Sequence, residues 1–201
     1  LKSWFFHPHH PQPVTDPGVK SSWQMEIRAA TSADLTGIAQ IIAESFHSQT
    51  GFWGWAFPLF RLGIYEDLRY RLISPSPHHA CLVAIDATPE KGNQIVGTVE
   101  LNVRFSDSWA YVQKTFPYLS NLAVNPQYRR YGVASSLLMR CEQLSQEWGF
   151  QDIYLHVLEK NYPARQLYFK QGYRVHQVES DWNTVLFNQS RQIFLHKRLN
   201  G

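Results

Sequence analysis

The chain has 201 residues, 44% hydrophobic, 14% aromatic and 17% charged, which suits one domain with one substantial core and argues against disorder. A net charge of +3 without dense Lys/Arg clusters gives no nucleic-acid footprint and leaves room for an anionic small ligand. The apolar runs stop well short of the roughly 20 residues that a membrane-spanning helix needs, so a soluble protein with no membrane partner is expected. Cys81 and Cys141 lack metal-type or disulfide-framework spacing and read as buried thiols in a reducing, cytoplasmic setting, with no metal site.

Residues 1–24 hold four of the eleven prolines and the clustered His7, His9 and His10. They read as a flexible tail ahead of a single domain over residues 25–201. A metal-binding His tract is the alternative, but the stretch has no rigid frame and no supporting Cys or carboxylate. With no apolar h-region and only Lys2 and Lys20 as basic residues, it does not read as a targeting peptide.

Residues 25–29 alternate apolar and polar, predicting a short strand. A helix follows: Thr31 or Ser32 caps it, Asp34 suits its positive end, and Leu35, Ile38, Ile42 and Phe46 share one face. Residues 51–58, GFWGWAFP, are either a lid over a binding site or a loop packed on the core. A second helix is expected over 59–73, stopped by the proline-containing 74–77. Strands at 80–85 and 94–103, separated by a turn region at 88–93, are expected to pair antiparallel.

From residue 118 the pattern becomes strand, helix, strand, helix, strand. Strands at 118–124 and 152–158 flank a helix over about 129–148, whose core face is Val133, Leu137, Cys141, Leu144 and Trp148. That order implies two parallel strands joined by a right-handed crossover. A short helix at 162–171 ends at Gly172, and a last strand covers 192–198. The expected fold class is α+β.

The most informative stretch is YLSNLAVNPQYRRYGVASS, residues 118–136. A strand runs through Asn125-Pro126 into a helix start carrying Arg129, Arg130, Tyr131, Gly132, Val133, Ala134 and Ser135. Unpaired N–H groups and the positive end of the helix dipole suit a pyrophosphate there, small residues allow close approach, and two arginines add charge. The same residues also suit an ordinary charged helix start. A dinucleotide GxGxxG and a P-loop are excluded, because this stretch has one glycine.

This segment matches the acyl-CoA motif Q/R-x-x-G-x-G/A as Arg129-x-x-Gly132-x-Ala134, after Leu122-Ala123-Val124, and so resembles the GNAT (Gcn5-related) N-acetyltransferases. Residues 153–173 look like the next motif of that family, with Asn161, Ala164, Tyr168, Gly172 and Tyr173 in place. More weakly, the resemblance covers residues 25–199. Trp148-Gly149-Phe150 and Trp182 with Lys197-Arg198 are similar to a cyanobacterial and plastid branch.

The resemblance implies a GNAT fold, a mixed central β-sheet with splayed parallel central strands flanked by helices. It implies acetyl-CoA as co-substrate, held by Leu122, Ala123, Val124, Arg129, Arg130, Tyr131, Gly132, Val133, Ala134, Ser135, Asn161, Tyr162, Pro163 and Tyr168. A backbone N–H within 122–124 would polarise the thioester carbonyl. Tyr168 matches the position that protonates the departing sulfur, and a phenol of pKa ~10 holds its proton at neutral pH. Asn161 is also a natural N-cap, and Pro163 suits a first helical turn.

His156 is the candidate base. Ile153, Leu155 and Val157 alternate onto one face, which turns His156 and Tyr154 to the other. Ordered water or Glu159 are the alternatives, and Glu100 or Glu159 could orient the amine. The implied acceptor is an amine, a protein N-terminus or lysine side chain, reached near residues 46–58 and 107–117. A small arylalkylamine or polyamine, or a non-catalytic CoA-binding module, are the other readings, with a monomer or homodimer as the assembly.

Overall fold

Met25–Ala29 forms the first strand, β1, and Thr31 starts a helical segment that opens as a 3-10 turn at Ser32–Asp34. The computed structural model describes residues 23–47, 57–73, 77–88, 92–105, 115–179 and 191–199. Asp34 closes a capping box with Thr31 and receives both guanidinium nitrogens of Arg28 at 2.7 and 2.9 Å, which ties β1 to the helix start. Helix α1, Leu35–His47, then buries Leu35, Ile38 and Ile42 as the 3.6-residue period requires.

Helix α2 spans Phe57–Ile73. It begins two residues before the expected start, since Pro58 is tolerated in a first turn whose N–H groups are unpaired anyway. Strands β2 (His79–Asp86), β3 (Gln94–Phe105) and β4 (Thr115–Val124) form an antiparallel meander. The aromatic-rich 51–56 segment and most of the 107–117 acceptor region lie outside the described residues.

Helix α3 (Val133–Glu147) crosses to β5 (Asp152–Leu158), helix α4 (Tyr162–Lys170) follows, and β6 (Arg174–Glu179) and β7 (Gln192–Arg198) complete the sheet. Strand order is β1-β2-β3-β4-β5-β7-β6, antiparallel except for the β4/β5 pair, so the α+β expectation holds. Among the described residues no helix is long and apolar enough to cross a membrane.

Strand β6 is absent from the sequence reading. Val175 and Val178 are three apart and half-exposed at the sheet edge, and a bulge between Val175 and Gln177 breaks the register with β7. A bulge destroys the period of two that makes a strand legible.

The sheet has two apolar faces. One packs Val99, Leu101, Leu119, Ile153, Leu155 and Leu195 against Val133, Leu137, Leu138 and Cys141 of α3 and Tyr168 of α4. The other packs Val83, Ile85 and Ala123 against α1 and Leu68 of α2. Gly97 lies beneath α3, where a Cβ would come 2.7 Å from Val133 Cγ1, so the missing side chain lets the helix start settle directly on β3. Cys81 and Cys141 are free and buried, and burial pushes both thiols up, Cys81 to about 12.

Candidate active site

The parallel pair touches only at Tyr118 with Tyr154 and Leu119 with Leu155. Beyond that point β4 stays on β3 and β5 stays on β7, so the strands part and leave a gap at their C-terminal ends. Residues 122–124 line its β4 side. β4 also bulges there: Glu100 opposes Ser120 and Thr98 opposes Ala123, so Asn121 and Leu122 together face Val99, and Asn121 takes φ 53°. A bulge of this kind re-aims backbone groups away from the ladder.

At the open end of the gap the chain turns into α3. Asn125 accepts from the Gln127 N–H at 3.0 Å and starts a 3-10 turn at Pro126–Tyr128. Arg129 is extended, and Arg130 and Gly132 take φ 70° and 87°. The helix therefore starts at Val133, four residues later than the sequence suggests, and Arg129–Gly132 form a loop ahead of it. The cause is the extended Arg129 followed by positive φ at Arg130 and Gly132, none of which an α-helix accommodates.

Gly132 is the N-cap and supplies no side-chain cap, so the N–H groups of the first α3 turn face outward without an intrahelical partner. Ser136 N–H is the first to return, to Gly132 C=O at 3.0 Å. Open space surrounds the Gly132 Cβ position, and backbone conformation is what calls for glycine there. Arg129 and Arg130 are exposed, Ala134 and Ser135 half-buried, while Val133 and Ala123 are buried in the two apolar faces and can offer only backbone. Tyr131 packs at a tilt against Trp23, ring centroids 5.7 Å apart. Tyr128 donates to buried Asp86 at 2.9 Å, which also takes the Thr88 N–H and hydroxyl. The loop thus has a firm floor.

Helix α4 borders the gap from the β5 side. Asn161 caps it, accepting from Ala164 N–H at 3.3 Å, and Pro163 lies in the first turn. Tyr162 is exposed, whereas Tyr168 is 8% exposed and packs on Tyr173. Burial, with Tyr118 close by, pushes the Tyr168 phenol well above its ordinary range.

Across the gap, Ile153, Leu155 and Val157 are buried and Tyr154 and His156 alternate to the opposite face, as expected. His156 Nδ1 lies 2.9 Å from the Tyr118 hydroxyl, and Phe194 stacks on its ring at 4.5 Å. The Arg104 guanidinium sits 3.5 Å above the Tyr118 ring. Phe116, Tyr154 and His196 continue the ring cluster. Tyr118 is the candidate side chain that sequence reasoning missed. Its signal was available, because β4 and β5 predicted as parallel neighbours bring residue 118 near 154–156.

Glu159 is exposed in the turn beyond β5. Glu100 is buried and faces Arg71, His79 and Asn121, so it does not present a carboxylate to an acceptor. Among the described residues no group of three or more metal-type ligands occurs.

A mixed sheet with a parted parallel pair, an uncapped helix start at its open end and buried phenols beside it define a coenzyme-thioester acyltransferase architecture. The Acetyltransferase (GNAT) family pattern matches residues 41–173, and the chain belongs to that family of acetyltransferases. The chain is 30% identical over 178 residues to GCN5-related N-acetyltransferase 10, chloroplastic, of Arabidopsis thaliana, covering 83% of this chain and 68% of the relative. GCN5-related N-acetyltransferase 7, chloroplastic, of the same plant is 33% identical over 78 residues, 39% of this chain and 28% of the relative. The PaiA N-acetyltransferase of Thermoplasma acidophilum, solved in complex with coenzyme A, superposes with TM-score 0.67 at 18% identity, covering 87% of this chain and 99% of that one.

These relatives support the plastid-type resemblance and overturn the cytoplasmic placement expected from composition, since the Arabidopsis proteins are named chloroplastic. The physical reason is that an address is read by receptors and leaves no mark on a folded domain.

Proposed function

We propose that residues 25–201 form a catalytic domain that transfers acetyl from acetyl-CoA to a primary amine of a protein N-terminus or lysine side chain. The observation that carries this reading is the placement of two proton-handling groups beside one gap. Tyr118 hydrogen-bonded to His156 borders it at the parting of the strands, and buried Tyr168 stands close to the Tyr118 phenol.

Arg129, Arg130 and the N–H groups of Gly132–Ser135 bind the coenzyme phosphates, and the pantetheine runs between β4 and β5 past Asn161 and Pro163. The thioester carbonyl accepts from a backbone N–H of the 122–124 segment. The amine attacks the carbonyl carbon as its proton passes to the Tyr118–His156 pair, Tyr118 relaying it to Nδ1. The C–S bond then breaks, and the sulfur takes the Tyr168 proton. A phenol pushed upward by burial keeps that proton throughout the working pH range and releases it only as negative charge builds on sulfur.

A second reading keeps the chemistry and changes the acceptor to a small aromatic amine. The ring cluster of Phe116, Tyr154 and Phe194 beside His156 favours it, since such faces stack on an aromatic group. The test offers acetyl-CoA with N-terminal peptides, lysine peptides and small amines together and identifies products by mass spectrometry. Acetylated peptides support the first reading, an acetylated arylalkylamine the second, and acetyl-CoA left intact across the set overturns both.

A further inference from the structure

Glu100 is a carboxylate sealed in the sheet, 1% exposed. Arg71 Nη1, from α2, donates to both of its oxygens at 2.9 Å. His79 Nε2, from β2, lies 2.8 Å from Oε1, and Asn121 Nδ2, from β4, donates to Oε2 at 2.8 Å. Arg71 is itself held by Asp67 at 2.6 Å. Burial alone would raise this carboxyl, but the His79 and Arg71 hydrogen bonds and the Arg71 charge outweigh it and bring Glu100 down to about 2. An ionised carboxylate this deep is costly unless each oxygen is occupied, and the pull of three elements on it fixes its position.

Of these partners, Asn121 is the one with an unusual backbone. It holds φ 53° inside the β4 bulge, a conformation that L-residues resist and Asn tolerates best. The bulge follows within two residues of the last β4/β5 contact, Leu119 with Leu155. Asn121 therefore sets the direction in which the 122–124 backbone faces the gap. Its side chain points at the carboxylate, which joins the backbone turn to a fixed buried charge.

We propose that Glu100 is a positioning residue for the acyl group: through Asn121 it locks the β4 bulge and so aims the backbone N–H that polarises the thioester carbonyl. This rests on the proposed placement of the acetyl group in the β4/β5 gap. Glu100 touches no reacting atom, and its effect falls on the carbonyl rather than on coenzyme affinity, because the phosphates are assigned to the Arg129–Ser135 turn, which makes no hydrogen bond to the Glu100 cluster.

The test binds acetyl-CoA labelled with carbon-13 at the thioester carbonyl to the full chain, and reads the carbonyl infrared band together with the dissociation constant. In the wild type the bound band lies at lower frequency than in free acetyl-CoA. In Glu100→Gln and in Asn121→Ala most of that shift disappears while affinity stays within about threefold, and acetyl transfer slows by ~10²-fold, as expected for a misplaced carbonyl donor. Asn121→Gly, which reaches positive φ without a clamp, keeps more of the shift than Asn121→Ala. Asn121→Ala leaves Arg71, His79 and Glu100 paired, so it decides the matter should Glu100→Gln not fold. A full wild-type shift retained in Asn121→Ala overturns the clamp alone. Bound acetyl-CoA with an unshifted band in the wild type overturns the acyl placement itself, and the clamp with it.

Discussion

The two sides of the β4/β5 gap are built in opposite ways. In the proposed assignment the donor side, from Leu122 to Ser135, is one continuous piece of chain that works through backbone N–H groups and the Arg129 and Arg130 side chains, while its other side chains mainly hold the loop still. Val133 and Ala123 pack inward, Tyr128 bonds to Asp86 and Tyr131 leans on Trp23. The proposed acceptor side consists of side chains: Tyr118 from β4, His156 from β5, Phe194 from β7 and Arg104 from β3. A backbone site tolerates many sequences but depends on local conformation, whereas a side-chain site depends on residue identity and on the register of several strands. Substitutions on the donor side should therefore alter coenzyme binding, and those on the acceptor side the rate and its pH dependence.

The largest effect tests the group shared by both halves. Tyr168→Phe is expected to lower kcat by ~10²-fold or more, with the KM for acetyl-CoA little changed. Steady-state kinetics giving equal kcat for the two proteins would remove Tyr168 from the proton path.

Next come the acceptor-side pair. His156→Ala and Tyr118→Phe should each slow transfer by ~10-fold to 100-fold, and His156→Ala should move the acidic limb of the pH–rate profile. Because the proposed relay runs through both groups, the double variant should be little worse than the poorer single one. Multiplicative losses in kcat would show that they work independently.

Donor-side sensitivity is smaller and of the other kind. Gly132→Ala forces a Cβ onto φ 87°, and the strain should raise the acetyl-CoA KM by about tenfold while sparing kcat. A fall in kcat with KM constant would contradict the division of labour drawn above.

The smallest effect concerns a contact remote from both sides. Arg28 holds the Asp34 carboxyl down to about 2, below its ordinary value, so the pair's stabilisation is complete above pH ~4 and drains away as pH falls towards 2. Arg28→Ala should cost about 1 kcal/mol near neutrality, the partly exposed guanidinium being screened by water. Thermal unfolding of the two proteins should converge on acidification.

The same contrast explains what could be read in advance. The donor loop was legible because its residues are consecutive, and β1, β5 and β7 were legible because nothing disturbs their alternation. What local pattern cannot carry is a conformation set by φ: residues Arg130 and Gly132 delay α3 to Val133, and Asn121 bulges β4 with no mark in the residue types around it. Nor does sequence display partners across strands. The Tyr118–His156 bond spans 38 positions, and the buried life of Glu100 depends on Arg71, His79 and Asn121 arriving from three separate elements.

Trp23 and Gln24 stand ahead of the first strand, yet both are fastened to the domain, Trp23 against Tyr128 and Tyr131, and Gln24 by its carbonyl to the Ala87 N–H at 2.8 Å. Trp23 therefore forms part of the rim beside the Arg129–Gly132 loop, where the coenzyme phosphates are proposed to sit. The other described end of the domain, Leu199, is anchored to Gln151 at the opposite end of β5, so the two ends are fastened to different borders of the sheet, and only the Trp23 end lends its side chain to the loop ahead of α3.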